Sequence, residues 1–385
     1  MPLISPKEAE ALILDSTEVL DTESVNHEDA LGRVLRQDLF ADRPFPPFDR
    51  VTMDGIAFRA GDFDDNPLTL QGLHAAGDPT PPPLKPGHCW QIMTGAILPD
   101  DCDTIVPYEE VEISETHAKI TDKISPGSFI HREGSDAKSG DLILKSGLVL
   151  GPGHLGIAAS IGAVTLKVTR KPVVSILTTG DELIPPDQTP LPHQLRQSNG
   201  LTIENALRQW GPAKVTRTHL ADDLETTTHG IASALEASDL IILSGGISKG
   251  KKDYVRPALE SLQGPPLFHG VAQRPGKPLA WWPGAAALPG NPNSSLTTFN
   301  RYLLPLLQKL TGGPPPKSMT LPLVAPIEKH TALTIMLPAN MQTDGKVIGL
   351  QPQNSGDFLT PLSGTGFLEI PPGSGAAHEA AYRPA

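Results

Sequence analysis

The sequence predicts a multidomain α/β protein: a central doubly wound α/β domain flanked by two small β domains and a mixed N-terminal domain. A chain of 385 residues exceeds what one compact core supports. From residue 171 onward, near-continuous β-branched apolar runs alternate with helical segments, the pattern of a mostly parallel sheet covered on both faces. The 41 prolines and 36 glycines follow no repeat, and they cut the flanking regions into short strand-like runs and tight turns.

Taken in order, Ser5, Pro6 and Glu8 have the spacing of a capping box with proline at the first helical position, which predicts a short helix over 5–15. Residues 24–40 read as a strand and a second short helix interrupted by Gly32. The segments "PLTLQGLHAAGD", "GHCWQIMTGAIL", "DTIVPYEEVEI" and "HAKITDKI" are strand-like and separated by Pro, Gly and Asp, which predicts an inserted β domain over 45–136. Residues 137–170 return to mixed structure and join 1–44 as the N-terminal domain. The α/β domain occupies 171–313. Its first strand is "PVVSILTTGDEL", and Ser198 and Gly211 bracket its first helix. After the linker "TGGPPPKS", residues 314–385 read as a C-terminal β-barrel-like domain.

Composition narrows the function. With 31 basic against 43 acidic side chains and a net charge of −12, the chain lacks the cationic excess that phosphate-backbone binding requires. Nucleic acid is therefore not an expected partner. No run of about 18 apolar residues occurs, so no membrane span is expected, and the N-terminus lacks the basic start and apolar run of a signal peptide. Cys89 and Cys102 are too few for a disulfide framework, and a reducing cytoplasm is the expected location. Both read as small buried hydrophobes. The histidines show neither HxH nor HExxH spacing, and no GxSxG elbow is present.

In an open α/β sheet, ligands bind beyond the carboxyl ends of the strands. There the sequence places Glu182 after the first strand, Asp222 and Asp223 after the second, and Ser244, Gly245, Gly246 and Ser248, then Asp253, after the third. Arg274 and Lys277 follow on a segment pinned by prolines, and Pro289, Asn291 and Pro292 come after the last strand. Glycine-rich turns expose N–H groups to anions, Arg and Lys match phosphate, and carboxylates beside them suit a hard cation such as Mg²⁺. Each feature also has a structural reading. Asp223 and Asp253 can be helix N-caps, Glu182 a first-turn acid, and Gly245-Gly246 a ligand-free turn.

Seven motifs, "PFPPFDRVTMDG", "IMTGA", "HREGSD", "TTGDEL", "SGGISKGKKDY", "RPGKP" and "LPGNP", occur in an order and spacing that resemble the molybdopterin molybdenumtransferases of the MoeA type, which are similar to the E domain of gephyrin. The match runs over about 5–372. The resemblance implies a molybdopterin-binding type of α/β domain and an elongated homodimer. It implies insertion of molybdate into adenylyl-molybdopterin, with Mg²⁺-assisted release of AMP to give molybdenum cofactor. It also implies a cleft between the α/β domain of one subunit and the inserted β domain of the other. Asp54, Thr94, Asp136, Glu182, Asp222 and Asp253 match the catalytic positions, with the last three as metal ligands. Ser244, Gly245, Gly246, Ser248, Arg274, Lys277, Pro289, Asn291 and Pro292 match substrate- and phosphate-binding positions. Expected partners are a molybdopterin adenylyltransferase and apo-molybdoenzymes.

The chain departs from the usual pattern at Arg50-Val51-Thr52, at Ile56, at Arg274 and at Lys249, Lys251 and Lys252. Two other readings are a non-catalytic scaffold of the gephyrin E-domain kind and a molybdopterin adenylyltransferase. The full carboxylate set weighs against the first, and the accompanying β domains weigh against the second.

Overall fold

The computed structural model describes residues 2–247, 253–353, 357 and 359–384, and the chain divides into two compact units. The larger comprises Met1–Gln37, Ser146–Leu155 and Thr165–Ala385, and the smaller Asp38–Lys145 and Gly156–Val164.

In the larger unit a six-stranded sheet runs in the spatial order Lys214–Leu220, Val173–Thr179, Leu240–Ser244, Ala285–Leu288, Ala280–Trp282, Phe268–His269. The first four strands are parallel, and Ala280–Trp282 runs antiparallel to both of its neighbours. Side chains alternate along each strand, so Val174, Ile176 and Ile242 enter one core with Ile203 and Leu207 of the helix Asn199–Trp210. Leu177, Ile241 and Leu243 enter a second core with Ile231 and Leu259, from the helices Leu224–Ala237 and Val255–Gln263. Helices therefore cover both faces, as strands buried on both sides require.

Local signals set the helix starts. Ser5 Oγ accepts from Glu8 N while Glu8 Oε2 accepts from Ser5 N, closing the capping box of Pro6–Asp15. Loss of such a cap costs about 0.5–2 kcal/mol. Asp223 caps Leu224–Ala237 by accepting from Thr226 N at 2.7 Å, which makes it structural. Ser198 stands at the N-cap of its helix without a side-chain cap bond.

Residues 24–40 differ from expectation. The strand Thr22–Asn26 leads into a 3₁₀ turn, His27–Ala30, and no α-helix follows. Gly32 adopts φ +73°, and the chain beyond it is drawn into extended pairing, with Leu35 N donating to Leu148 O and Arg36 N to Lys167 O. Ladder bonds on both flanks outcompete helical propensity there.

A second sheet of the larger unit contains Gln273–Arg274, Thr334–Met341, Val347–Gly349, Met319–Glu328, Ala376–Pro384 and Gly366–Ile370, and pairing of Thr334–Met341 with Gly366–Ile370 closes five of these strands into a ring. Gln273–Arg274 joins this sheet parallel to Thr334–Met341, although its sequence context is that of the α/β domain.

The smaller unit is built on a sheet in the order Thr104–Pro107, Gly55–Phe58, His88–Ile92, Leu68–His74, His117–Ile120, Val111–Ile113, around a core containing Ile56, Phe58, Trp90 and Ile92. The strand Gly55–Phe58 falls within and after the "MDG" motif. A Cβ on Gly55 would lie 2.0 Å from Val106 O, so only glycine permits this approach of two strands. Among the described residues no helix is long and apolar enough to cross a membrane.

Candidate active site

The parallel register aligns the strand ends. Thr178 pairs with Ser244, Ser244 with Leu288, and Thr179 with Leu220, so the segments that follow leave the sheet on one edge. On that edge lies a cavity of about 980 Å³. Glu182, Asp222, Asp253, Gly245, Gly246, Arg274, Lys277, Pro289 and Asn291 all line it, which brings together most of the residues expected there.

Backbone geometry holds these loops. Asp181 N donates to Asp222 Oδ2 at 3.1 Å and Asp222 N to Asp181 Oδ1 at 3.2 Å, a reciprocal tie between two loops. Gly246 has φ +65°, and a Cβ there would come within 2.8 Å of Val255 Cγ2. A side chain at this turn is both strained and blocked.

The cations sit on a braced segment. Gln273 is fully buried, accepts from the Tyr302 hydroxyl and donates to Pro275 O, while Val271 N donates to Lys277 O. Arg274 and Lys277 extend from it as exposed side chains on the cavity wall.

Ser244 and Pro292 are placed differently. Ser244 is buried and does not line the cavity; its Oγ accepts from Asn199 Nδ2, which also donates to Gly290 O, so it braces the loops from behind. Pro292 opens the helix Pro292–Thr298 under the N-cap Asn291 and lies off the cavity wall. Ser248 lies outside the described residues, as do Lys249, Lys251 and Lys252.

A further part of the cavity wall carries no signal in the sequence. His330, Leu333, Ile335, Met336, Leu337, Gln351 and Pro352, all from the C-terminal sheet and its loops, line the same cavity. His330 Nδ1 accepts from Ala332 N and Leu333 N, each at 3.0 Å, so its ring proton sits on Nε2. The pairing of Gln273–Arg274 with Thr334–Met341 places this wall beside the cations, and a two-residue strand leaves no periodic signal.

Asp54, Thr94 and Asp136 belong to the smaller unit. Thr94 donates both its backbone N–H and its hydroxyl to Asp54 Oδ1, each at 2.7 Å. These bonds, the backbone one first, hold the Asp54 carboxyl below the usual carboxylate range, so it is an anion at neutral pH. Asp136 is held low chiefly by His131, whose Nε2 lies 2.8 Å from its Oδ1. Asp49 is engaged structurally, accepting from Arg132 and from Glu133 N. Cys89 and Cys102 are free and buried, and burial pushes both thiols up to about 12. Neither is a nucleophile at neutral pH.

Among the described residues, no group of three or more His, Cys, Asp or Glu side chains is close enough to hold a metal ion. Glu182, Asp222 and Asp253 thus share one cavity without forming a protein-only cage. That donor set suits a hard cation taking one or two carboxylates and completing its shell from substrate oxygens.

Residues 4–162 match the family model described as "MoeA N-terminal region (domain I and II)", and residues 175–309 that of a "Probable molybdopterin binding domain". Over 369 residues the chain is 37% identical to the molybdopterin molybdenumtransferase of Synechocystis sp., covering 91% of this chain and 90% of the relative. It is 31% identical over 320 residues to the molybdopterin molybdenumtransferase of Staphylococcus epidermidis, covering 80% and 76%. The crystal structure of the molybdopterin biosynthesis moeA protein from Pyrococcus horikoshii OT3 matches across 100% of both chains with a TM-score of 0.85 at 24% identity, a likeness of fold. With relatives of this identity matched along 76% and 90% of their length, the chain belongs to the molybdopterin molybdenumtransferase family.

Proposed function

We propose that the protein completes molybdenum cofactor by inserting molybdate into adenylyl-molybdopterin, with release of AMP assisted by Mg²⁺. The observation that carries this reading is one cavity that combines Arg274 and Lys277 with Glu182, Asp222 and Asp253 and with the apolar Leu333, Ile335, Met336 and Leu337. Its volume, about 980 Å³, suits a large ligand with planar rings and a charged linker.

The chemistry follows from charge. Cleavage of a phosphate anhydride places negative charge on the departing phosphate, and fixed cations lower the barrier by meeting that charge without reorganising. Arg274 and Lys277 are the cations for this role, and the hydrogen bonds that brace their segment keep it in place. Glu182, Asp222 and Asp253 would hold Mg²⁺ together with phosphate oxygens; when bound, the ion supplies further charge neutralisation. Without cations, these carboxylates repel the substrate. Asp54, kept ionised by Thr94, acts as an anion rather than as a proton donor.

The experiment is AMP release from adenylyl-molybdopterin on addition of molybdate. Asp54→Ala is expected to abolish release while leaving the protein folded; release at the wild-type rate would remove Asp54 from the reaction.

A further inference from the structure

Arg50 lies in the two-residue strand Arg50–Val51, which pairs antiparallel with Ile130–His131 so that Arg50 and His131 are register partners. Arg50 Nη2 lies 3.0 Å from His131 Nδ1, and His131 Nε2 lies 2.8 Å from Asp136 Oδ1. A guanidinium only donates, so Nδ1 accepts through its lone pair, and the ring is neutral with its proton on Nε2. That proton is donated to the carboxylate.

The neighbouring charges leave this arrangement to Arg50. Arg132 is adjacent in sequence but pairs with Asp49, which also accepts from Glu133 N at 2.8 Å. Ser135 Oγ reaches Asp136 Oδ1 at 3.4 Å, a weaker contact than that of His131. The bond from His131 is the first cause, and the Arg50 charge a further one, of the lowered Asp136 carboxyl.

We propose that Arg50 and His131 are positioning residues for Asp136: Arg50 selects the Nε2–H tautomer of His131, and that proton fixes one carboxylate oxygen of Asp136 for the reaction. The inference rests on the assignment of Asp136 to the site.

Nitrogen NMR of the imidazole ring reads the tautomer directly. It is expected to show Nε2–H for His131 in the unaltered protein and a mixture in Arg50→Met. In the molybdenum-insertion assay, Arg50→Met is expected to lower kcat/KM about tenfold, the scale of one hydrogen bond to a charged group. Arg50→Lys, which restores a cationic donor, is expected to recover most of that loss. In the His131→Gln background, whose amide donates without a tautomer to choose, adding Arg50→Met is expected to cost nothing further. An Nδ1–H ring in the unaltered protein, or equal losses from Arg50→Met in both backgrounds, overturns the proposal. Full activity in Asp136→Asn overturns the assignment of Asp136 and the positioning role with it. The tautomer measurement is independent of that outcome, so the two failures are distinguishable.

Discussion

Arg301→Ala is expected to lower the stability of the larger unit by about 3–5 kcal/mol, the cost of breaking an ion-pair cluster built on a buried cation and two half-buried carboxylates. The Arg301 side chain is 3% exposed and meets Glu10 at 2.8 Å and Glu369 at 2.7 Å. Glu369 is also approached by Arg383 at 3.4 Å. These contacts are close enough for ion pairs, yet Nε and Nη1 of Arg301 lack hydrogen-bond angles, and only Nη2 to Glu369 Oε1, at 3.4 Å, has them. The cluster joins the helix Pro6–Asp15, the segment Phe299–Leu303 and the strand Gly366–Ile370, so its loss is felt by three parts of the unit at once. Guanidinium unfolding measures the effect. Removing Glu10 together with Arg301 is expected to recover part of it, because the carboxylate left without its cation goes with it. A loss below about 1 kcal/mol, the level of an exposed pair, would contradict this reading.

Lys277→Ala is expected to reduce kcat/KM for molybdenum insertion about 10²–10³-fold, the range found when one preorganised donor to a developing anion is removed. The ammonium belongs to a segment braced by the buried Gln273 and by the bond from Val271 N to Lys277 O, so little motion is needed when charge develops. The loss should fall mainly on kcat, since the stabilised charge is greatest in the transition state. It should shrink as salt rises, because the side chain is exposed and its field is screened. A variant with raised KM and unchanged kcat would make Lys277 a binding residue only.

The larger architecture was legible where physics acts over short stretches of chain. Alternation of Val174, Ile176, Ile241 and Leu243 marks strands buried on both sides, and Ser5 with Glu8 and Asp223 with Thr226 mark helix starts through local hydrogen bonds. The carboxylates were legible because parallel strands must deliver their following loops to one edge. What long-range pairing decides was not legible. Gln273–Arg274 joins the C-terminal sheet, and that pairing brings His330 and Leu333 to the cavity. Ser244 has the composition of an anion loop but is turned inward by its bond from Asn199, a residue 45 positions away. Arg50 departs from the family pattern, and its partner His131 is set by cross-strand register rather than by local sequence.

The central claim, that this cavity couples anhydride cleavage to molybdenum insertion, is tested most directly by counting both products in one reaction. With adenylyl-molybdopterin, Mg²⁺ and limiting molybdate, AMP released and molybdenum bound to the pterin dithiolene are expected to appear in equal amounts and to stop together when molybdate is exhausted. AMP released freely without molybdate, or molybdenum bound with the adenylyl group still attached, would contradict the account.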